Sequence, residues 1–207
     1  MEKYKTISFC GQAAQGKDVL ANYLVEKFNS EITNREDYWV RNAFANAVKE
    51  VFEQTFQVDR EFVEHWKRNP KPPEGFLQSI RDCLIGIGDG FRKMKPDIWI
   101  NLAFINQKNN QIISDCRYIS EAEYVKNTGG YNILLWRPGH ENNIQNDSEQ
   151  QLMPYVKQLS KLNFEGFIPE DYDIPFDFFI INDGNIEKLY EKADKLIIPK
   201  LKKTKFI

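Results

Sequence analysis

Glycine, lysine and aspartate residues near the amino terminus have the spacing of a loop that binds phosphate groups. The apolar residues 7–10 run directly into Gly11, which is followed by four residues and then by Gly16, Lys17 and Asp18. Gly11 lets the chain leave a strand in a backbone conformation that other residues avoid. Backbone N–H groups at the start of the following helix favour an anion, and Lys17 adds a positive charge. These residues therefore predict a site for a polyphosphate.

The surroundings of this loop support the same interpretation. The spacing Gly-x4-Gly-Lys is that of P-loop nucleotide-binding proteins, and here it lies between a predicted strand and a predicted amphipathic helix. The residue after the lysine is usually Ser or Thr, which binds Mg²⁺, whereas Asp18 offers a carboxylate that Mg²⁺ also accepts. A nucleoside triphosphate is therefore expected to bind at Gly11, Gln12, Ala13, Ala14, Gln15, Gly16, Lys17 and Asp18.

A second carboxylate, Asp115, ends the predicted strand at 111–115, and Arg117 follows it. A strand-end aspartate in a P-loop protein commonly holds Mg²⁺ through water, although it can also be a capping or loop residue. Arg117 would then lie beside the transferred phosphoryl group, where a fixed positive charge stabilises the transition state. We therefore predict a metal site at Asp18 and Asp115.

Several arginines are placed where they could hold a second anion. Arg81 and Arg92 are eleven positions apart, about three helical turns, so both lie on one helix face. They are predicted to clamp a phosphate or carboxylate, with solvated salt bridges as the alternative. Arg41, near the end of the second strand, and Lys49 are further candidates for binding the substrate.

Five more residues have both a structural and a functional interpretation. Asp97 either caps the next helix or binds substrate, and Trp99 either joins the core or shapes a substrate pocket. Arg137 ends a strand before a polar segment, which is typical of a closing lid but also of an ordinary loop arginine. Residues 182–183 belong to an Asn-Asp-Gly turn after the last strand, where they are predicted to lie against the nucleotide base.

The overall composition excludes several classes of protein. The 207 residues suffice for one α/β domain with a sizeable core, and the net charge of −2 gives no sign of a nucleic-acid partner. No stretch is apolar enough to span a membrane, and the amino terminus does not resemble a signal peptide. The three cysteines, Cys10, Cys83 and Cys116, lack metal-type spacing and predict buried, reduced thiols in the cytoplasm. Two histidines are too few to predict a histidine zinc site.

The periodicity of apolar residues predicts strands that alternate with helices. This order is typical of a three-layer α/β fold with a mostly parallel five-stranded sheet, right-handed crossovers and ligands at the carboxyl ends of the strands. The predicted strands are 4–10, 38–44, 111–115, 131–136 and 176–181. The predicted helices are 17–29, 45–56, 74–94, 97–107, 120–127, 149–162 and 186–197, with residues 59–73 left as a charged segment that ends in prolines.

Taken in order along the chain, these motifs resemble the deoxynucleoside monophosphate kinases of bacteriophages and their bacterial relatives. The resemblance covers nearly the whole chain but not residues 59–73, nor most of those between His140 and Asp171. Asp89 and Gly90 depart from the family pattern, as does Val19. The matching elements are Gly16-Lys17-Asp18, Phe44 to Lys49, Arg81 to Trp99, Ser114 to Glu123, Arg137-Pro138 with Asp147-Ser148-Glu149, and Asn182 to Tyr190.

This resemblance implies a single P-loop kinase domain over residues 1–207, with a lid at about 138–170 and an acceptor-binding segment at about 45–108. It implies transfer of the γ-phosphoryl group of ATP, with Mg²⁺, to the 5′-phosphate of a deoxynucleotide. The implied catalytic residues are Lys17, Arg92, Arg117 and Arg137, and the acceptor would be held by Arg81, Arg92 and Arg117. The implied setting is the cytoplasm, that of the host if a phage encodes the protein, and a homodimer is left open.

Two other functions are compatible with the same residues. One is a different small-molecule kinase with an aspartate in its P-loop, such as the phosphomevalonate kinase of animals. The other is a non-catalytic P-loop protein that binds a nucleotide and regulates a partner. Arginines at several strand ends favour a kinase over a regulator, because a sensor needs fewer of them.

Overall fold

The computed structural model of the chain describes residues 4–105, 107–140 and 150–207. These residues form two compact units, one that falls within Met1–Ala43 and Gln107–Ile207 and one that falls within Phe44–Asn106. The first unit contains the β-sheet, and the second is helical. The predicted lid motif at residues 147–149 lies outside the described residues.

The strands are β1 (Thr6–Cys10), β2 (Trp39–Asn42), β3 (Asn110–Cys116), β4 (Tyr131–Trp136), β5 (Gly166–Phe167) and β6 (Phe178–Ile181). They form a sheet in the order β2-β3-β1-β4-β6-β5. Five strands are parallel, which confirms the predicted class, and β5 pairs antiparallel with β6. The predicted count of five strands is one too few, because the two residues of β5 carry no periodicity to detect.

The described helices are α1 (Lys17–Asn29), α2 (Ala45–Phe56), α3 (Arg60–Trp66), α4 (Ile80–Met94), α5 (Ile98–Ile105), α6 (Ile119–Asn127), α7 (Met153–Lys161), α8 (Ile186–Lys192) and α9 (Ile198–Lys203). A 3₁₀ turn at Arg35–Asp37 and a π-helical turn at Ala193–Ile197 complete them. Predicted helix 186–197 therefore ends as an α-helix at Lys192. No helix in the described part of the chain is long and apolar enough to cross a membrane.

Alternate residues of the central strand β1 face opposite layers of the first unit. Ile7 and Phe9 are fully buried in a core that includes Leu20 and Leu24 of α1. The hydroxyl of Ser8 instead donates to Asn132, whose amide donates to the Ala122 carbonyl of α6 at 2.7 Å. Helices thus cover both faces of the sheet, as right-handed crossovers on either side of β1 require.

The helical unit packs α2, α3 and α4 around a small apolar core of Phe52, Val63 and Ile80. Two predictions were wrong here. Residues 59–73 contain helix α3, which is capped because the Asp59 carboxylate accepts from the Phe62 amide at 2.7 Å. The predicted helix at 74–94 begins only at Ile80, since Gly75 has a φ of +83° and Ser79 caps α4.

Candidate functional site

The site predicted in the first unit lies where β1 and β3 end. These two strands are neighbours and run parallel, so their carboxyl ends meet at one edge of the sheet. The Gly11 amide, just after β1, donates to the carbonyl of Cys116, the last residue of β3, at 3.3 Å. This bond brings the loop after β1 and the turn after β3 together.

Both loop glycines have backbone conformations that a side chain would obstruct. Gly11 has a φ of +149°, and a Cβ there would lie 2.5 Å from the Leu135 carbonyl oxygen of β4. Gly16 has a φ of +97°, and a Cβ there would lie 2.7 Å from the Asn182 amide nitrogen. The loop therefore packs closely against two neighbouring strand ends, which confirms the conformational role predicted for Gly11.

Helix α1 begins immediately after this loop, at the residue predicted. Gly16 is its N-cap, and a glycine has no side chain with which to cap the amides of the first turn. First-turn N–H groups without such a cap and the positive end of the helix dipole are what a phosphate group requires. Together with the buried lysine described next, this arrangement fits the triphosphate of ATP.

Lys17 is folded back onto the loop, and its side chain is buried. Its ammonium group donates to the Gly11 carbonyl at 2.7 Å and to the Gln12 carbonyl. Burial, together with the positive charge of Arg117, lowers the pKa of Lys17 from 10.5 to about 8, although the negative charges of Asp115 and Asp18 oppose the shift. The structure thus brings together four residues that sequence analysis assigned to one site.

The lowered pKa of Lys17 predicts that ATP binding weakens with rising pH. Above about pH 8 the unliganded Lys17 loses its proton. ATP must then either bind next to a neutral Lys17 or bind together with a proton that recharges it, and both weaken binding. The dissociation constant for ATP, measured by titration calorimetry, should be level below about pH 7 and rise by up to about tenfold per pH unit above about pH 8. The Lys17→Arg variant should lack this rise because its guanidinium stays charged. An affinity of the parent protein that is constant throughout would contradict this prediction.

Asp18 lies between a serine of β3 and Arg41, the penultimate residue of β2. The Ser114 hydroxyl donates to Asp18 Oδ1 at 2.8 Å, and Arg41 Nη2 lies 3.4 Å from the same oxygen. Arg41 Nη1 also donates to the side chain of Asn22, one turn further along α1, at 3.1 Å. Sequence analysis assigned neither Ser114 nor Asn22 to the site, because Ser114 entered only as the residue before Asp115 in a matching segment and Asn22 belongs to no motif.

The turn that follows β3 and carries Arg117 is held by a buried acid. The Glu121 carboxylate accepts hydrogen bonds from the backbone amides of Arg117 at 2.9 Å and Tyr118 at 3.1 Å. Glu121 is only 3 % exposed. A buried carboxylate that bonds two successive amides fixes the backbone from which the Arg117 side chain extends.

Gln15 links the loop to the ends of β4 and β6. Its buried side chain accepts from the Arg137 amide and donates to the His140 carbonyl at 3.1 Å. The side-chain amide of Asn182, which follows β6, donates to the Gln15 backbone carbonyl at 2.9 Å. Arg137 and Asn182, both predicted site residues, thus flank the loop, and the contact of Asn182 is with the loop backbone. The base-binding role of Asn182 stays a prediction.

Asp183 is engaged with the helix that follows it. Lys188 and Lys192 of α8 lie 3.1 Å and 2.8 Å from its carboxylate, and their hydrogen bonds lower its pKa to about 2. Its location at the end of β6 agrees with the sequence-based placement. Contact with a nucleotide base stays a prediction.

The other predicted residues belong to the helical unit. Arg81 is exposed, and Arg92 lies 3.5 Å from Asp89 in an i,i+3 ion pair. Trp99 is 1 % exposed and donates to the Gly88 carbonyl at 3.0 Å, as expected of a core tryptophan. Further contacts involve Asp97, which accepts from Asn101 at 2.8 Å, and Lys49, which lies 2.8 Å from Glu64. The roles of these five residues in substrate binding stay predictions.

The oxygen atoms at the loop suit Mg²⁺ when phosphate supplies the remaining ligands. Asp18 and Asp115 offer hard carboxylate oxygen atoms at the start of α1 and the end of β3. Among the described residues, no three acidic, histidine or cysteine side chains are grouped as a self-sufficient metal site. This donor set fits Mg²⁺, which commonly uses one or two carboxylates together with water and substrate phosphates.

Comparison with known proteins identifies one informative relative. The chain is 24 % identical over 205 residues to "Putative deoxynucleotide monophosphate kinase" of Acanthamoeba polyphaga mimivirus, which covers 90 % of this chain and 92 % of that protein. This alignment confirms the resemblance in sequence over nearly the whole chain. No protein-family model matches the sequence.

Solved structures with a similar arrangement include two small-molecule kinases. One is a shikimate kinase from Acinetobacter baumannii in complex with shikimate, with 14 % identity, a TM-score of 0.46 and 96 % coverage of both chains. The other is the APS kinase CysC of Mycobacterium tuberculosis in complex with AMPPNP and APS, with 11 % identity and a TM-score of 0.38. That match covers 96 % of this chain and 99 % of the enzyme.

Proposed function

We propose that this protein is an ATP-dependent kinase that phosphorylates a deoxynucleoside 5′-monophosphate. The observation that carries the proposal is the convergence of Lys17, Asp18, Asp115 and Arg117 at the ends of two neighbouring parallel strands. Two positive and two negative side chains beside an uncapped helix start are suited to a triphosphate and its metal ion. The sequence similarity to the mimivirus protein supports the choice of acceptor.

In the proposed reaction an oxygen of the acceptor phosphate attacks the γ-phosphorus of ATP. The bond from that phosphorus to the bridging oxygen breaks, so the products are a deoxynucleoside diphosphate and ADP. Such transfers depend on positioning and on neutralising charge rather than on a strong base. A site built from lysine, arginine and aspartate, in a chain with two histidines, is consistent with that chemistry.

Residues of the first unit have separate proposed roles in binding ATP, the phosphoryl donor. Amides of the loop at residues 11–18 and the ammonium of Lys17 bind the triphosphate, and Arg117 stabilises the charge that develops during transfer. Asp18 and Asp115 would hold Mg²⁺, which when bound supplies further neutralisation of phosphate charge. Asn182 and Asp183 are proposed to lie near the adenine, with Arg137 closing over the donor.

Acceptor binding is assigned mainly to arginines. Arg81 and Arg92 of α4 are proposed to bind the acceptor phosphate, because guanidinium groups form paired hydrogen bonds with phosphate oxygens. Arg41, the penultimate residue of β2, lies 3.4 Å from Asp18 and is a further candidate for binding substrate. Lys49, Asp97 and Trp99 of the helical unit are also proposed to contribute to substrate binding, either directly or through packing.

The experiment that tests this proposal is a screen of phosphate acceptors by ATP consumption. The panel contains all deoxy- and ribonucleoside monophosphates together with mevalonate phosphate, and the Arg117→Ala variant is assayed in parallel. We expect the parent protein to consume ATP with at least one deoxynucleoside monophosphate. The Arg117→Ala variant should still bind ATP but should no longer consume it. Activity with mevalonate phosphate alone would identify a different small-molecule kinase, and ATP binding without turnover on any acceptor would favour a regulatory nucleotide-binding protein.

A further inference from the structure

Ser114 is a buried hydroxyl residue that contacts the P-loop from a different strand. It lies in β3, immediately before Asp115, and is 2 % exposed. Its hydroxyl donates to Asp18 Oδ1 at 2.8 Å, across 96 positions of the sequence. A buried hydroxyl that points at the one acidic side chain of the loop is placed to control the orientation of that carboxylate.

The two oxygens of Asp18 have different surroundings. Oδ1 accepts from Ser114 and lies 3.4 Å from Arg41, whereas Oδ2 accepts no hydrogen bond from the described residues. The Asp18 side chain is 69 % exposed, so the carboxylate is open to solvent on its other side. The fold therefore holds Asp18 through one oxygen and leaves the second available to a ligand.

Arg41 and Ser114 would act differently on Asp18 when a cation approaches. Arg41 is itself 41 % exposed at the end of a long side chain, and its positive charge would repel a metal ion bound to the same carboxylate. Ser114 is uncharged, buried and fixed by its strand, so it can orient the carboxylate without that repulsion. Groups that orient a metal ligand in this way commonly contribute 10- to 100-fold to metal affinity.

We infer that Ser114 is a positioning residue that holds Asp18 through Oδ1 so that Oδ2 can bind the Mg²⁺ of Mg·ATP. The inference rests on the proposed function for the metal-binding role of Asp18, but not on the identity of the acceptor. In many P-loop proteins a Ser or Thr of the loop and an Asp on a neighbouring strand act together at Mg²⁺. Here the two residue types are exchanged, because the acid, Asp18, follows the loop lysine and the hydroxyl residue, Ser114, lies on the strand. Ser114 itself need not touch the nucleotide.

The test measures how strongly Mg²⁺ improves ATP binding in the Ser114→Ala variant. Dissociation constants for ATP are determined by calorimetry in excess Mg²⁺ and in EDTA, together with the Mg²⁺ concentration at half-maximal improvement. We expect Ser114→Ala to raise that Mg²⁺ midpoint about tenfold or more while affinity in EDTA stays within a factor of about two. Ser114→Thr, which retains the hydroxyl, should restore the parent midpoint.

Ser8→Ala is the matched control, because Ser8 is another buried strand serine whose hydroxyl bonds Asn132 and Cys10, not Asp18. It should lower the melting temperature without moving the Mg²⁺ midpoint. An unchanged midpoint in Ser114→Ala, or parent ATP binding that is independent of Mg²⁺, would overturn the inference. If Ser114→Ala shifts the Mg²⁺ midpoint but the parent protein phosphorylates no monophosphate, the inference about Ser114 is upheld and only the proposed function is refuted. If Ser114→Ala fails to fold, Ser114→Cys is measured by the same criteria.

Discussion

Replacing Lys17 by methionine is expected to lower phosphoryl transfer by roughly 10²- to 10³-fold, the usual loss when one preorganised charge is removed from a transition state. The ammonium group is the buried positive charge of the loop, held between the Gly11 and Gln12 carbonyls. Its pKa is lowered by burial, so removing the charge also relieves a desolvation cost in the unliganded protein. Steady-state turnover and thermal denaturation, measured on the same preparation, separate these two effects.

Lys195→Met is the matched control for Lys17→Met. Lys195 is 72 % exposed in an i,i+4 ion pair with Glu191, so its loss should leave turnover within a factor of about two. Lys17→Met should retain the parent's melting temperature to within about 3 °C, since about 1 kcal/mol corresponds to 2–4 °C in a chain of this size. Turnover of Lys17→Met within threefold of the parent would contradict the assigned role of this residue.

Replacing Gly11 by alanine is expected to destabilise the first unit and to abolish ATP binding. The backbone there has a φ of +149°, and the new Cβ would meet the Leu135 carbonyl oxygen at 2.5 Å. Because both atoms belong to rigid neighbouring segments, the loop must move, at a cost of roughly 3 kcal/mol. A fall in melting temperature of about 6–12 °C is expected in calorimetry, together with loss of measurable ATP binding.

Gly86→Ala provides the control for this substitution. Gly86 lies inside helix α4, and no heavy atom lies within 4 Å of a Cβ built there. Alanine should therefore stabilise the protein by about 0.5–1 kcal/mol, the difference in helix propensity between the two residues. A Gly11→Ala variant that melts and binds ATP like the parent would show that the tight packing of the loop on β4 is not required.

Features with a local cause were predictable from the sequence. Helix α1 and the loop before it were predicted correctly, because the two glycines, Lys17 and the amphipathic pattern lie within a few residues of each other. Helix α2 and strand β4 were likewise predicted with the observed bounds. Parallel pairing followed from the alternation of strands and helices, since crossover connections favour it.

Features that depend on distant partners were not predictable. The bonds of Ser114 to Asp18 and of Gln15 to Arg137 join positions 96 and 122 residues apart, and they exist because of strand order and register. Helix α3 was missed because the prolines after it dominated the interpretation of its segment. The engagement of Asp183 with two lysines depends on where helix α8 starts, which no motif in the turn specifies.

The most direct test of the central claim follows the γ-phosphoryl group itself. The protein is incubated with Mg²⁺, ATP labelled with ³²P at the γ position and the deoxynucleoside monophosphate that supports the fastest ATP consumption, and the products are separated by chromatography. The proposed function predicts that the label appears in the β-phosphate of the deoxynucleoside diphosphate, in equal amount to the ADP formed, and that Lys17→Met slows this transfer by roughly 10²- to 10³-fold. Label found only in inorganic phosphate, or remaining in ATP with every monophosphate, would contradict it.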